Sequence, residues 1–109
     1  MTQEEQAEIA LQIMINSGEA KSFAYQALKA AKSGQFDAAA TMLKSAEAEF
    51  AKAHAIQKSL LQQEAKGAGL IPSLLLVHAH GHVMTAQAER DLIEEMIELY
   101  RHISPGEPA

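Results

Sequence analysis

The chain has 109 residues, a length that allows one domain built around one core. It contains no cysteine, which excludes disulfides, thiolate metal sites and cysteine nucleophiles. Its formal net charge is −5 and its charges are interspersed, so the basic stripe that a nucleic-acid partner would need is missing. An apolar content of 48% without tryptophan indicates a core of Ala, Leu, Ile and Met, as in packed helices.

The first segment, residues 2–32, is rich in alanine and helical in its period. It begins "MTQEEQAEIALQ", which is acidic where a signal peptide would be basic, and no window approaches 18 uninterrupted apolar residues. We therefore expect a cytoplasmic chain that does not insert into a membrane. The sequence "NSG" at residues 16–18 predicts a break or kink, and Gly34 in "KSGQFD" predicts a left-handed stop.

The second segment, residues 35–66, has apolar residues at alternating steps of three and four, typical of a coiled-coil seam. A helix of this length measures about 45 Å and requires other long helices to cover it. The seam consists of Phe36, Ala39, Leu43, Ala46, Phe50, Ala53, Gln57 and Leu60.

The third segment, residues 73–102, follows "KGAGLIPS", in which Gly67 and Gly69 act as stops and Pro72 fits a first helical turn. Its apolar stripe, widened to one side by Ile93, Ile97 and Tyr100, runs through Val77, Gly81, Met84, Ala88, Leu92, Met96, Leu99 and Ile103. Three long helices with short turns predict an all-α fold, an antiparallel three-helix bundle, as a single domain over residues 1–109. We expect residues 104–109, "SPGEPA", to form a flexible tail.

Three of the five histidines fall at alternate positions in "LLLVHAHGHVMTA". In a strand, His78, His80 and His82 would share one face and could begin a metal site. In a helix, which the flanking sequence favours, His78 and His82 form a pair one turn apart and His80 faces away. Such a pair could ligate a metal, pack at the margin of the core, or supply a nucleophilic imidazole, and spacing alone leaves these alternatives open.

Several stretches share their order and spacing with one known family: "SGEAKSFAYQAL", "GQFDAA", "AHAIQ", "QEAKG", the histidine-rich stretch and the terminal "IELY". They resemble the lactose/cellobiose-type IIA proteins of the bacterial phosphoenolpyruvate-dependent sugar phosphotransferase system, whose usual signature is LLLVHAQDHLMTA. The resemblance implies a phosphocarrier that takes a phosphoryl group from the general phosphocarrier protein HPr. The implied phosphocarrier then passes the group to the cysteine of a cognate IIB domain, which phosphorylates lactose, cellobiose or a related β-glycoside. It also implies a homotrimer of three-helix bundles.

The resemblance implies that His78 is phosphorylated at Nε2. His82, one turn further along, could donate a hydrogen bond to the phosphoryl oxygens. Gln57 is predicted either to support the phosphate site or to set the register of the core, and His54 is a weaker candidate. We expect HPr and IIB to dock around His78, with Val83 as an exposed apolar contact.

The sequence departs from the family signature where Gln-Asp is replaced by His80-Gly81. In the family, the aspartates of the three subunits point to the trimer axis and surround a metal ion there. Gly81 has no ligand atoms, so we predict no metal there, no cofactor, and a trimer without its axial clamp. A second hypothesis follows from the same change: a helical adaptor or regulatory paralogue that keeps the bundle without phosphotransfer. Only the phosphocarrier hypothesis predicts phosphohistidine at His78, and a metal-storage bundle would need further ligands.

Overall fold

The computed structural model describes residues 1–67 and 71–103, which form three helices of 30 residues each. They are α1 (Gln3–Lys32), α2 (Phe36–Ala65) and α3 (Leu74–Ile103). The helices run up, down and up in a rod of 57 × 21 × 18 Å, and the described residues include no strand. The predicted all-α three-helix bundle is therefore confirmed. Within the described ranges, none of the helices is both long and apolar enough to traverse a bilayer.

Helix α1 continues through residues 16–18, so the predicted break is wrong. The Ser17 hydroxyl donates to the carbonyl of Ile13 at 2.9 Å, and the side-chain oxygen of Asn16 accepts from Gln12 at 3.3 Å. Both side chains are buried and bond one turn back within the helix. Because the Ser17 hydroxyl and the Asn16 side-chain oxygen have partners on α1 itself, these residues fit a continuous helix against the core.

The glycines that end the first two helices behave as predicted. Gly34 and Gly67 have φ values of 78° and 73°, the left-handed conformation that glycine adopts at helix ends. Gly69, the other predicted stop, lies outside the described residues, as does the predicted tail at 104–109.

Helix α3 begins slightly later than its sequence indicates. Pro72 precedes the helix instead of lying in its first turn, and the Ser73 hydroxyl caps the helix by accepting from the backbone N–H of Leu76 at 3.1 Å. The connection is also held from α1, because buried Gln6 donates to the carbonyl of Ile71 at 2.9 Å and accepts from the N–H of Ser73 at 2.6 Å. Nothing in the sequence pattern predicts this link.

The predicted seam of α2 is its inner face. Phe50 lies in the middle of the bundle between Ala20 and Ala86, and clusters of apolar side chains extend from it toward both ends. Five of the eight seam positions are buried and three are half-buried, namely Leu43, Gln57 and Leu60. The alternating spacing of apolar residues therefore predicts the packed face of α2 correctly.

Helix α3 has two apolar faces, and the predicted stripe is the outer one. The face that packs against the other helices consists of Leu76, Ala79, Val83, Ala86, Ile93 and Ile97. The large apolar residues of the predicted stripe are exposed in the single chain: Val77, Met84, Leu92, Met96, Leu99 and Ile103. Val83 is 0% exposed, so its predicted role as a surface docking contact is wrong. The packed face combines two alanines with larger aliphatic residues, whereas hydropathy alone favours the series of large side chains on the outer face.

Two glycine substitutions should have opposite effects on stability. Gly18 lies inside α1, and an added Cβ would have no atom within 4 Å, so Gly18→Ala should raise the free energy of unfolding by about 1 kcal/mol. Gly34→Ala should lower it by about the same amount, because φ at this position is positive. Urea denaturation at one fixed protein concentration measures both changes. Urea midpoints of the two variants that both rise or both fall relative to the wild type would contradict the prediction.

Candidate phosphotransfer site

His78 and His82 lie one turn apart near the start of α3 and contact each other. Their Nε2 atoms are 3.1 Å apart, and the rings meet edge to face with centroids separated by 4.7 Å. Both side chains are exposed. The helical interpretation of the histidine cluster is thus confirmed, and His80 lies on the other flank of the helix.

This contact has a direct chemical consequence. A hydrogen bond between two Nε2 atoms requires one imidazole to donate Nε2–H and the other to present its lone pair. One ring nitrogen therefore carries a lone pair that becomes nucleophilic when this hydrogen bond opens, and an N–H donor lies directly beside it. An anionic group added to the first nitrogen would lie within reach of the second ring's N–H.

The pair opens into a cleft of about 330 Å³ between α1 and α3. The wall from α1 includes Gly18, whose missing side chain leaves room for a small group beside the imidazoles. The cleft is lined by Ser17, Gly18, Lys21, His78, Gly81, His82, Thr85, Ala86 and Glu89.

A charged pair at the cleft was not predicted from the sequence. Lys21 Nζ lies 3.5 Å from Glu89 Oε1, and the Tyr25 hydroxyl donates a short hydrogen bond to the other oxygen of the same carboxylate. This hydrogen bond, together with the negative charge of Glu89, raises the pKa of Tyr25. The four-residue spacing of Lys21 and Tyr25 shows that they share a face of α1. Only the packing of α1 against α3 brings them to Glu89.

Two other candidate residues lie on the opposite flank of α3. Gln57 Nε2 is 2.6 Å from His80 Nδ1, and His54 Nε2 is 3.1 Å from Gln87 Oε1, in both cases between α2 and α3. Within one chain, the structure does not bring Gln57 or His54 to the cleft of His78. Their roles at a phosphate site therefore stay predictions that would require a neighbouring copy.

Residue 81, where the resemblance implies an axial metal, supplies no side-chain ligand for such an ion. Gly81 is exposed and offers no side-chain ligand, and an added Cβ would meet no atom within 4 Å. Elsewhere within one chain, residues 1–67 and 71–103 bring together no three His, Asp or Glu side chains that could hold a metal. Donor atoms are needed for a metal site, and these residues do not supply them at this position.

The sequence matches the family model of the phosphotransferase system's lactose/cellobiose-specific IIA subunit over residues 8–101. The chain belongs to this family. It is therefore a phosphotransferase component, and the resemblance seen in its motifs is confirmed.

Individual IIA proteins agree with this assignment along nearly the whole chain. The N,N'-diacetylchitobiose-specific EIIA component of Escherichia coli K12 is 42% identical over 100 residues, which cover 92% of this chain and 86% of that protein. The crystal structure of the cellobiose-specific enzyme IIA from Bacillus anthracis has a TM-score of 0.88 and 38% identity, covering 96% of this chain and 94% of that one. The IIA chain in the solution structures of the chitobiose IIA–HPr complex from E. coli has a TM-score of 0.80 and 41% identity, covering 90% and 95%.

Proposed function

We propose that this IIA protein carries a phosphoryl group on His78, which it accepts from phosphorylated HPr and passes to the cysteine of a cognate IIB domain. The observation that carries the proposal is the His78–His82 contact, in which a nucleophilic nitrogen and a hydrogen-bond donor face each other at a cleft. Because the chain belongs to a family of phosphotransferase components, we assign this pair of histidines to phosphoryl transfer.

The transfer exchanges one nitrogen–phosphorus bond for another. The lone pair of His78 Nε2 attacks phosphorus in line and forms the new bond, while the bond to the HPr imidazole breaks and leaves its electron pair on that ring. His82 donates its Nε2–H to the His78 lone pair in the resting protein; this hydrogen bond breaks before the attack, which frees the lone pair and lets the donor turn to a phosphoryl oxygen. The protein thus contributes mainly position and compensation of charge.

The partners in this proposal follow from the relatives. The E. coli chitobiose IIA protein forms a complex with HPr, and the close similarity of its fold supports HPr as the donor for this chain. The relatives are named for chitobiose, lichenan and lactose, which supports a β-linked sugar as the final acceptor. We place the reaction in the cytoplasm, where these exchanges would occur.

We also propose that the chain assembles as a homotrimer through the outer apolar stripe of α3. Six large apolar residues of one helix lie exposed along its length in the single chain. A continuous apolar face of this kind is typical of helices that pack against copies of themselves. Assembly through this stripe would place the flanks of α3, which carry the His78 cleft and the His80–Gln57 pair, near neighbouring subunits.

Phosphorylation of the purified protein tests the proposed function. The chain is incubated with phosphoenolpyruvate, enzyme I and HPr, and its intact mass is measured in mildly alkaline buffer. We expect a gain of one phosphoryl group that is lost in acid, as expected for phosphohistidine. A chain that stays unmodified while HPr is phosphorylated would contradict the proposal and favour the adaptor hypothesis.

A further inference from the structure

We propose that Lys21 supplies the positive charge that binds the phosphoryl group on His78, and that Glu89, held by Tyr25, keeps this lysine at the cleft before phosphorylation. The inference rests on the proposed function, because it concerns the phosphorylated state of the same cleft. It assigns a role to three residues that the histidine motif does not include.

The first step of the argument is the charge in the cleft. A phosphoryl group adds close to two negative charges at neutral pH. Among the described residues that line the cleft, Lys21 is the one lysine or arginine and Glu89 the one carboxylate. His82 supplies one N–H, but the added charge would face Glu89 with no cation beside it unless the lysine turned to it. A phosphoryl dianion favours a cation together with several N–H donors.

The second step is that Lys21 is held loosely and Glu89 firmly. Lys21 Nζ stands 3.5 Å from Glu89 Oε1, and the lysine side chain is 52% exposed, which makes this a weak surface pair. The Glu89 side chain is only 25% exposed, and its second oxygen accepts the hydroxyl of Tyr25. Lys21 can therefore move away while Glu89 keeps its hydrogen bond from Tyr25. The raised pKa of Tyr25 is consistent with a phenol that keeps its proton in this contact.

The third step is direction. Helices α1 and α3 run parallel, since Gln6 contacts Ile71 at their beginnings and Tyr25 contacts Glu89 further along both. Side chains on a helix leave the backbone tilted toward its N-terminus, so the Cα–Cβ bond of Lys21 is directed toward the histidine end of the cleft, although its Nζ reaches Glu89 in this structure. Gly18, one turn earlier on α1, leaves this path free of a side chain. The four-carbon stem of lysine is flexible enough to follow it.

The test measures how the phosphoryl group distributes between HPr and the chain at equilibrium, by intact mass of both proteins. Lys21→Gln should lower the ratio of phosphorylated chain to phosphorylated HPr about tenfold, the size expected for one charge-assisted contact. Lys21→Arg should retain most of the ratio. Glu89→Gln should raise the ratio, because it removes the competing carboxylate. If the ion pair only stabilised the fold, both neutral variants would change the ratio in the same direction or leave it unchanged.

Lys52→Gln is the matched control, since it also removes one positive charge from an exposed ion pair. Lys52 pairs with Glu49 at 2.8 Å on α2 and does not line the cleft. Circular dichroism verifies that each variant is folded. If the wild type is phosphorylated and Lys21→Gln behaves like Lys52→Gln, the inference is overturned while the proposed function stands. If the wild type takes up no phosphoryl group, the proposed function fails and the inference fails with it.

Discussion

His78→Ala should take up no phosphoryl group under conditions in which the wild type is fully phosphorylated. The lone pair that attacks phosphorus belongs to the imidazole of residue 78, and alanine offers no nucleophile in its place. His82 lies at the same cleft, but its Nε2 is the donor that the mechanism assigns to the phosphoryl oxygens. Intact mass in mildly alkaline buffer reports the modification directly. The expected effect is complete loss of the mass increase.

His80→Ala and His102→Ala are the matched controls for this loss. Both remove an exposed imidazole from α3, and neither residue lines the cleft. Both variants should gain one phosphoryl group as the wild type does. Persistent phosphorylation of His78→Ala, or its loss in His102→Ala, would show that another histidine is the acceptor.

Leu92→Lys should convert the assembled protein into single chains. Leu92 is 65% exposed in one chain and lies in the middle of the outer stripe of α3. In a trimer packed through this stripe, three lysines would meet in an apolar interface, where an unpaired buried charge is strongly destabilising. Light scattering coupled to gel filtration should give three times the chain mass of 11.8 kDa for the wild type and the chain mass itself for the variant.

Ala48→Lys provides the control for assembly, since it adds the same charge as Leu92→Lys. Ala48 is exposed on α2, outside the stripe, and does not line the His78 cleft. This variant should keep the mass of the wild type. A wild type that elutes as a single chain would contradict the trimer, and dissociation of both variants would contradict the stripe as its specific interface.

The sequence determined the helices and the reactive pair because both depend on short-range spacing. Steps of three and four residues define one face of α2, and that face is buried as predicted. A separation of four residues on a helix brings His78 to His82 whatever surrounds them. Gly34 is a helix stop for an equally local reason, because its positive φ suits glycine.

The errors arose where the outcome depended on neighbouring helices. Residues 16–18 read as a break, but the Ser17 hydroxyl and the Asn16 side-chain oxygen form hydrogen bonds within α1, and both side chains pack inward. Val83 read as exposed because hydropathy does not tell which of the two apolar faces of α3 packs against α1 and α2.

The tertiary structure alone decided what surrounds the histidines. Lys21 and Tyr25 meet Glu89 only because α1 packs parallel to α3, and the residues involved are 64 or more positions apart in the chain. The same packing separates Gln57 from His78, because Gln57 of α2 contacts one flank of α3 and His78 lies on the other flank. Periodicity fixes which residues share a face of one helix. The relative rotation of the helices, set by how closely their alanine-rich surfaces approach, decides which faces meet.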